Sequence, residues 1–302
     1  MRWEHRNGPN PLSTSHFPTK DRIKILETRI IDDIQSAEYR WTRPELLRYL
    51  VRRWGVAPRM ARSAIGNLLQ KNEIAYTYQF GSSFLEISYN KPVRVSNTIV
   101  IKPPGCSYPE TSDHILIDMM PGASFGSGQH PSTQLALKGM DFLVHEKNVL
   151  ENQKKPTVLD VGTGSGILLI AAIKLGFFSG MGIDIDPCAR AEARQNAALN
   201  GLETHVKISD RPIESLGSNF FMITANLRFP TIDRLLQHLI DGIGIHGFLV
   251  LSGIKVAELN LLKRAVQPIA AVEPVWQAEK QGWAALAIKK RSVFDKNTDL
   301  FD

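Results

Sequence analysis

From residue 156 onwards apolar and polar positions fall into alternating short and long blocks. Thr157 to Val161 is a short apolar run, Gly166 to Leu175 a longer one, Gly180 to Asp184 short again, and Pro187 to Asn200 long with polar outer positions. Short runs predict strands and long ones helices. The pattern continues with strands at Val206 to Ile208, Phe221 to Ala225 and Gly247 to Leu251, and helices at Thr231 to Leu239 and Val256 to Ala265. Two last strands fit Ala271 to Trp276 and Trp283 to Ile288. Strands alternating with helices need crossover connections, so the expectation is an α/β doubly wound sheet.

The first third has a different rhythm. Residues 1 to 20 hold three prolines without periodicity and read as a flexible lead. Ile23, Leu26, Ile30, Ile31 and Ile34 then recur at helical spacing. Thr42 followed by Pro44 reads as the start of a second helix, which carries Leu46, Leu47, Leu50 and Val51. A third helix after Gly55-Val56-Ala57-Pro58 carries Met60, Ile65, Leu68 and Leu69. Two alternating runs from Ile74 to Ile87, broken at Gly81-Ser82-Ser83, predict a hairpin. Three helices and a hairpin are the plan of a winged helix over residues 21 to 90. Lys91 to Gly128 reads as a strand pair, Thr98 to Ile101 and Ile115 to Ile117, which opens a second domain over residues 91 to 302.

Composition changes this picture little. With 43% hydrophobic and 22% charged residues among 302, the chain is globular rather than fibrous or disordered. Cys106 and Cys188 are too few for a disulfide framework or a four-ligand zinc site, and no metal is expected. No apolar stretch follows the charged N-terminus, so no signal peptide is expected. The longest aliphatic run, Ile167 to Ile173, is far short of the roughly 20 residues of a membrane span. A cytoplasmic protein is expected. The formal charge of +6 leaves room for an acidic or nucleic-acid partner. It is concentrated between Trp41 and Asn72, where seven basic residues meet one acidic residue, Glu45. That cluster reads either as a solvated face or as a nucleic-acid contact.

The candidate chemistry lies in Asp160-Val161-Gly162-Thr163-Gly164-Ser165-Gly166, a glycine turn between a buried strand and a helix. Such a turn lets backbone approach a nucleotide-type ligand and presents helix N-terminal amides to it. NAD-binding enzymes share it, but three features point to S-adenosylmethionine. Asp160 stands before the glycines, suited to a cationic methionine end; a turn-capping carboxylate is the less favoured reading, because Thr163 and Ser165 already supply polar turn chemistry. Asp184 ends the next strand, suited to both ribose hydroxyls, with Ile185 beside it in the donor-contacting set. Asn196 and Asn200 follow on the next helix. The expected donor residues therefore include Asp160, Gly162, Thr163, Gly164, Gly166, Asp184 and Ile185.

Phe125-Gly-Ser-Gly-Gln-His130-Pro-Ser-Thr133 and Asp118-Met-Met-Pro-Gly-Ala-Ser before it resemble the bacterial ribosomal-protein lysine methyltransferases of the PrmA type. So do Ala225-Asn226-Leu-Arg after the fourth strand and Leu251-Ser252-Gly253-Ile254 after the fifth. The likeness runs from about residue 91 to residue 290. It implies a class I methyltransferase sheet of seven strands with a final antiparallel pair. It also implies that Phe125, Ser132 and Thr133 close over the donor and that Asn226 stands beside the methyl group and the incoming amine. The acceptor is then a lysine or N-terminal amine of a protein. His130 reads equally as a catalytic group or a loop cap, and Ser132 and Thr133 also as caps of the following helix. Gln129, Arg228 and the winged-helix-like first domain depart from the family. Two other acceptors stay open: a nucleic acid docked on the basic helices, although Asn226-Leu227-Arg228-Phe229 lacks the paired prolines usual for base amines, and a small molecule.

Overall fold

The computed structural model describes residues 19–37, 39–79, 81–109, 113–120, 128–269 and 271–292. The chain divides into two compact units, Met1–Lys91 and Pro92–Asp302. Among the described residues no helix is long and apolar enough to cross a membrane.

The first unit runs α1 (Thr19–Ser36), β1 (Trp41–Thr42), α2 (Arg43–Trp54), α3 (Pro58–Gln70), β2 (Ile74–Gln79) and β3 (Ser82–Ile87). The first helix thus begins inside the expected lead, whose remainder lies outside the described residues. α2 starts where its sequence directs: the Glu45 carboxylate accepts from the Thr42 amide at 3.0 Å and the Thr42 hydroxyl at 2.6 Å. Those bonds satisfy donors that a helix start otherwise leaves bare. Leu26, Ile30, Leu46, Leu50, Ile65, Leu68, Ile74 and Leu85 form the core. Glu27, nearly buried, accepts from Asn67 at 2.9 Å and Lys71 at 2.7 Å, tying α1 to the end of α3. The strands pair antiparallel in the order β1-β3-β2; β1 is only two residues long and carries no readable alternation.

The second unit opens with a three-stranded sheet, β4 (Val93–Arg94), β5 (Ile99–Lys102) and β6 (Ile115–Asp118), in which β5 and β6 run parallel. The expected strand pair is therefore a trio. α4 (Pro131–Asp141) follows and runs into one π-helical turn at Phe142–Glu146. Next come β7 (Thr157–Val161), α5 (Ile167–Lys174), β8 (Ser179–Ile183), α6 (Pro187–Leu199) and β9 (Val206–Ser209). The chain ends with β10 (Phe220–Asn226), α7 (Phe229–Gly242), β11 (Ile243–Lys255), α8 (Val256–Val266), β12 (Val272–Lys280) and β13 (Trp283–Lys290).

Seven strands form one sheet in the order β12-β13-β11-β10-β7-β8-β9. β13 pairs antiparallel with both neighbours, whereas β11, β10, β7, β8 and β9 are mutually parallel. Leu159, Val161, Ile223, Ala225, Leu249 and Leu251 pack into one cluster with Ile232, Leu236, Leu259 and Leu262 of α7 and α8. The alternate residues Val158, Asp160, Met222, Thr224 and Val250 are buried too. Both faces are covered, which is why these strands read as continuous apolar runs.

Two strands are longer than their patterns predict. β11 begins at Ile243 because the glycine-rich stretch before Phe248 is absorbed by a register shift against β10 between Phe220 and Met222. β12 continues past Trp276 to Lys280; Pro274 is tolerated because β12 is an edge strand with a register shift there.

Candidate active site

β7 has β8 on one side and β10 on the other, so the sheet order reverses at β7. The carboxyl ends of three parallel strands therefore flank one crevice, the place where doubly wound sheets hold ligands. Asp160, Asp184 and Asn226 all stand at these ends.

Asp160 is 1% exposed. Its carboxylate accepts from the Thr163 hydroxyl at 2.7 Å and the Thr224 hydroxyl at 2.6 Å. Burial pushes its pKa up to about 6, with the Asp184 carboxylate adding to the rise and the two hydroxyls opposing it. Asp160 thus does the turn-capping work that the glycine loop needs, because the Thr163 hydroxyl is itself a donor in search of an acceptor. Thr224 was not legible as a partner. Its signal is a hydroxyl inside the apolar run Phe221 to Ala225.

The turn folds against its neighbours. Gly162 and Thr163 donate their amides to the Ile183 carbonyl at 2.8 and 3.0 Å. Gly162 has φ 72°, and a Cβ there would lie 2.5 Å from a Leu227 methyl. Gly166 has φ 83°, and a Cβ there would meet the Ala193 backbone at 3.1 Å. At both positions left-handed backbone and close packing within the chain themselves call for glycine.

Asp184 closes the turn from β8. One carboxylate oxygen accepts from the Gly164 amide at 2.9 Å and the other from the Asp186 amide at 2.9 Å. A carboxylate has about four acceptor sites, so two stay available. Ile185 beside it is 94% exposed. On α6, Asn196 donates to the Ser165 carbonyl at 2.9 Å and accepts from the Met120 amide at 3.2 Å. Asn200 brackets Asp118, accepting from its amide at 3.0 Å and donating to its carbonyl at 2.7 Å. These two asparagines hold chain ahead of the motif Phe125 to Thr133. Phe125 itself lies outside the described residues.

The last part of the site joins β10, β11 and α4. Asn226 donates from Nδ2 to the Thr133 hydroxyl at 3.1 Å. Its Oδ1 is buried and, among the described residues, has no hydrogen-bond partner. The buried Ser252 hydroxyl donates to the Ser132 carbonyl at 2.8 Å, and the Leu227 amide donates to the Ser252 carbonyl at 3.0 Å. Gly253, at φ 85°, lets these loops touch: a Cβ there would lie 2.5 Å from the Leu227 carbonyl and 2.9 Å from Asn226 Oδ1. Ser252 and Gly253 sit inside a motif the sequence singles out, but their role depends on a register shift against β13.

His130, rather than Ser132 or Thr133, is the cap of α4: its Nδ1 accepts from the Ser132 amide at 3.2 Å. Its ring stands edge-on to Trp283 with centroids 4.5 Å apart. Ser132 and Thr133 are fully buried in the first turn. Gln134, missed at the level of sequence, donates to the carbonyls of Gly128 and Gln129 at 3.2 Å each and accepts from Lys280 at 2.7 Å. The Gln129 contact is a backbone one, which leaves that side-chain departure outside this network. Arg228 is exposed at the start of α7.

Residues 85–291 match the family model described as ribosomal protein L11 methyltransferase (PrmA). A ribosomal protein L11 methyltransferase of Pelobacter propionicus is 37% identical over 201 residues, 66% of this chain and 63% of that one. That of Caldicellulosiruptor saccharolyticus is 39% identical over 168 residues, 55% of this chain and 52% of that one. The chain therefore spans 63% or less of the length of these two relatives. A crystal structure of ribosomal protein L11 methylase from Lactobacillus delbrueckii subsp. bulgaricus aligns with a TM-score of 0.57 at 30% identity, over 67% of this chain and 100% of that chain.

Proposed function

The chain belongs to the ribosomal protein L11 methyltransferase (PrmA) family, and from that premise we propose that it transfers a methyl group from S-adenosylmethionine to an amine nitrogen of a protein. A ribosomal protein is the first acceptor to try, since that is what its relatives are named for. The second unit, a class I methyltransferase fold, carries the transfer. The first, with its helix–strand–helix–helix–strand–strand order, is a winged helix that recruits a partner.

The residues fit the donor. Asp184 keeps acceptor sites for two ribose hydroxyls, and the exposed Ile185 offers an apolar surface for a base. Asp160 sets a buried negative charge behind the glycine turn, opposite the cationic methionine end, through a loop it holds by way of Thr163. Thr133, in the first turn of α4 with Ser132, is hydrogen-bonded to Asn226 at the end of β10, and Phe125 precedes them in the same motif. When bound, S-adenosylmethionine supplies a methyl group on a sulfonium, already activated for in-line displacement.

The protein's part is then alignment and exclusion of water. The observation that carries the reading is the buried, unpartnered Asn226 Oδ1 at the carboxyl end of β10. A buried acceptor without a donor is costly, on the order of 1–3 kcal/mol. An incoming N–H satisfies it. Accepting that hydrogen bond points the amine lone pair away from Asn226 and holds the nitrogen in place. A lysine amine must be neutral to react, against a free pKa of about 10.4. Desolvation in the crevice disfavours its charged form. His130 acts as a positioning residue through the cap of α4. The test is Asn226→Ala, which should keep donor binding in calorimetry and lose methyl transfer; full activity would remove Asn226 from the mechanism.

A further inference from the structure

We propose that the exposed face of α3, together with the β2 strand, is a docking surface for double-stranded DNA. This inference rests on the first unit alone and is independent of the transfer reaction proposed above.

After Pro58 at its start, the exposed residues of α3 are Arg59, Arg62, Ser63 and Gln70, with the half-exposed Gly66 between them. Their spacing puts them on one stripe of the helix, opposite the buried Ala61, Ala64, Ile65 and Leu68. The centre of the stripe is low: the space beyond Gly66 holds no atom within 4 Å of a would-be Cβ. Two arginines stand beside it at the N-terminal end. Among the described residues no carboxylate pairs with Arg59 or Arg62. The single acidic residue between Trp41 and Asn72, Glu45, is occupied by the Thr42 cap.

The strand adds a second element. Tyr76 and Tyr78 are 49% and 73% exposed and share one side of β2. Arg43, exposed at the start of α2, reaches the Tyr76 hydroxyl at 3.4 Å. Tyr78 stands mostly in solvent, and Tyr76 offers its hydroxyl together with the Arg43 guanidinium. A hydroxyl and a guanidinium are both donors to phosphate oxygens.

An exposed helix stripe with a small-residue centre and two arginines at its N-terminal end fits a groove about 12 Å wide, the major groove of B-form DNA. The deep, narrow major groove of A-form RNA does not admit a helix. That difference decides for DNA over duplex RNA. The unpaired positive charge decides for a nucleic acid over an uncharged protein surface.

The test uses the whole chain and fluorescence anisotropy with a labelled 20–30 base-pair DNA duplex of mixed sequence, the RNA duplex of the same sequence, and the single strands. The expected result is tightest binding to duplex DNA, weakening steeply between low and moderate salt. Arg59→Ala/Arg62→Ala should weaken it about tenfold or more. Gly66→Glu enters open space, keeps the helix and should weaken binding to a similar degree. Lys207→Ala, in the second unit, should change nothing. Tighter binding to RNA, absence of salt-dependent DNA binding, or wild-type affinity in both α3 variants with an unchanged circular dichroism spectrum would overturn the proposal.

Discussion

The side-chain amide of Asn226 donates to the hydroxyl of Thr133 at 3.1 Å across 93 positions of sequence. This bond fixes the amide plane and so decides where the unpartnered Oδ1 points. Thr133→Val removes the acceptor and leaves Asn226 free to turn. We expect kcat to fall about tenfold or more, in line with the loss of a hydrogen bond to a buried group, and donor affinity to fall less. Thr133→Ser should keep most of the rate. Steady-state kinetics together with calorimetry separate the two effects, and equal losses in both would argue against a role in aiming Asn226.

Asp160 makes a prediction about pH. Its folded pKa is raised from 3.8 to about 6, chiefly by burial. The folded state therefore holds a proton that the unfolded state has released. The stability it contributes is fully present below 3.8 and is lost as pH rises through about 6. The span is worth about 3 kcal/mol at most. Melting temperatures of the wild type and Asp160→Asn, compared between pH 7.5 and 5, should show the wild type gaining on the variant as pH falls. A constant difference would mean that Asp160 is ionised throughout. Donor binding should run the other way and weaken below about pH 6, because a cationic ligand end favours the carboxylate.

Asp184 should matter for the donor and for the local shape of the glycine turn, while the sheet behind it stays folded. Asp184→Ala removes two bonds that shape the turn, from the Gly164 and Asp186 amides, and every acceptor offered to a ribose. Donor affinity should fall about tenfold to a hundredfold, as for lost hydrogen bonds to a charged group. Unchanged affinity in calorimetry would sink the ribose assignment.

The doubly wound sheet was legible because both faces of its strands are covered, so Thr157 to Val161 and Phe221 to Ala225 stand out as short apolar runs. The glycine turn and Asp184 were legible as strand ends, and Asn226 stood out through the motif that resembles the family. What was not legible depends on neighbours far along the chain. Thr224 binds Asp160 from the adjacent strand, 64 positions away. Ser252 reaches the Ser132 carbonyl, 120 positions away. In sequence His130 stays open between a catalytic group and a loop cap; in the fold its ring nitrogen accepts from the Ser132 amide and caps α4. Bulges in β11 and β12 hid the true strand lengths, since a register shift breaks the alternation by which strands are read.

The central claim is that an amine on a protein receives the methyl group. The direct measurement is incubation of the chain with methyl-labelled S-adenosylmethionine and a cell extract, followed by separate protease and nuclease digestion and identification of the labelled product. The account predicts that the label survives nuclease, is released by protease and is recovered as an N-methylated lysine or N-terminal residue. Label released by nuclease alone would contradict it.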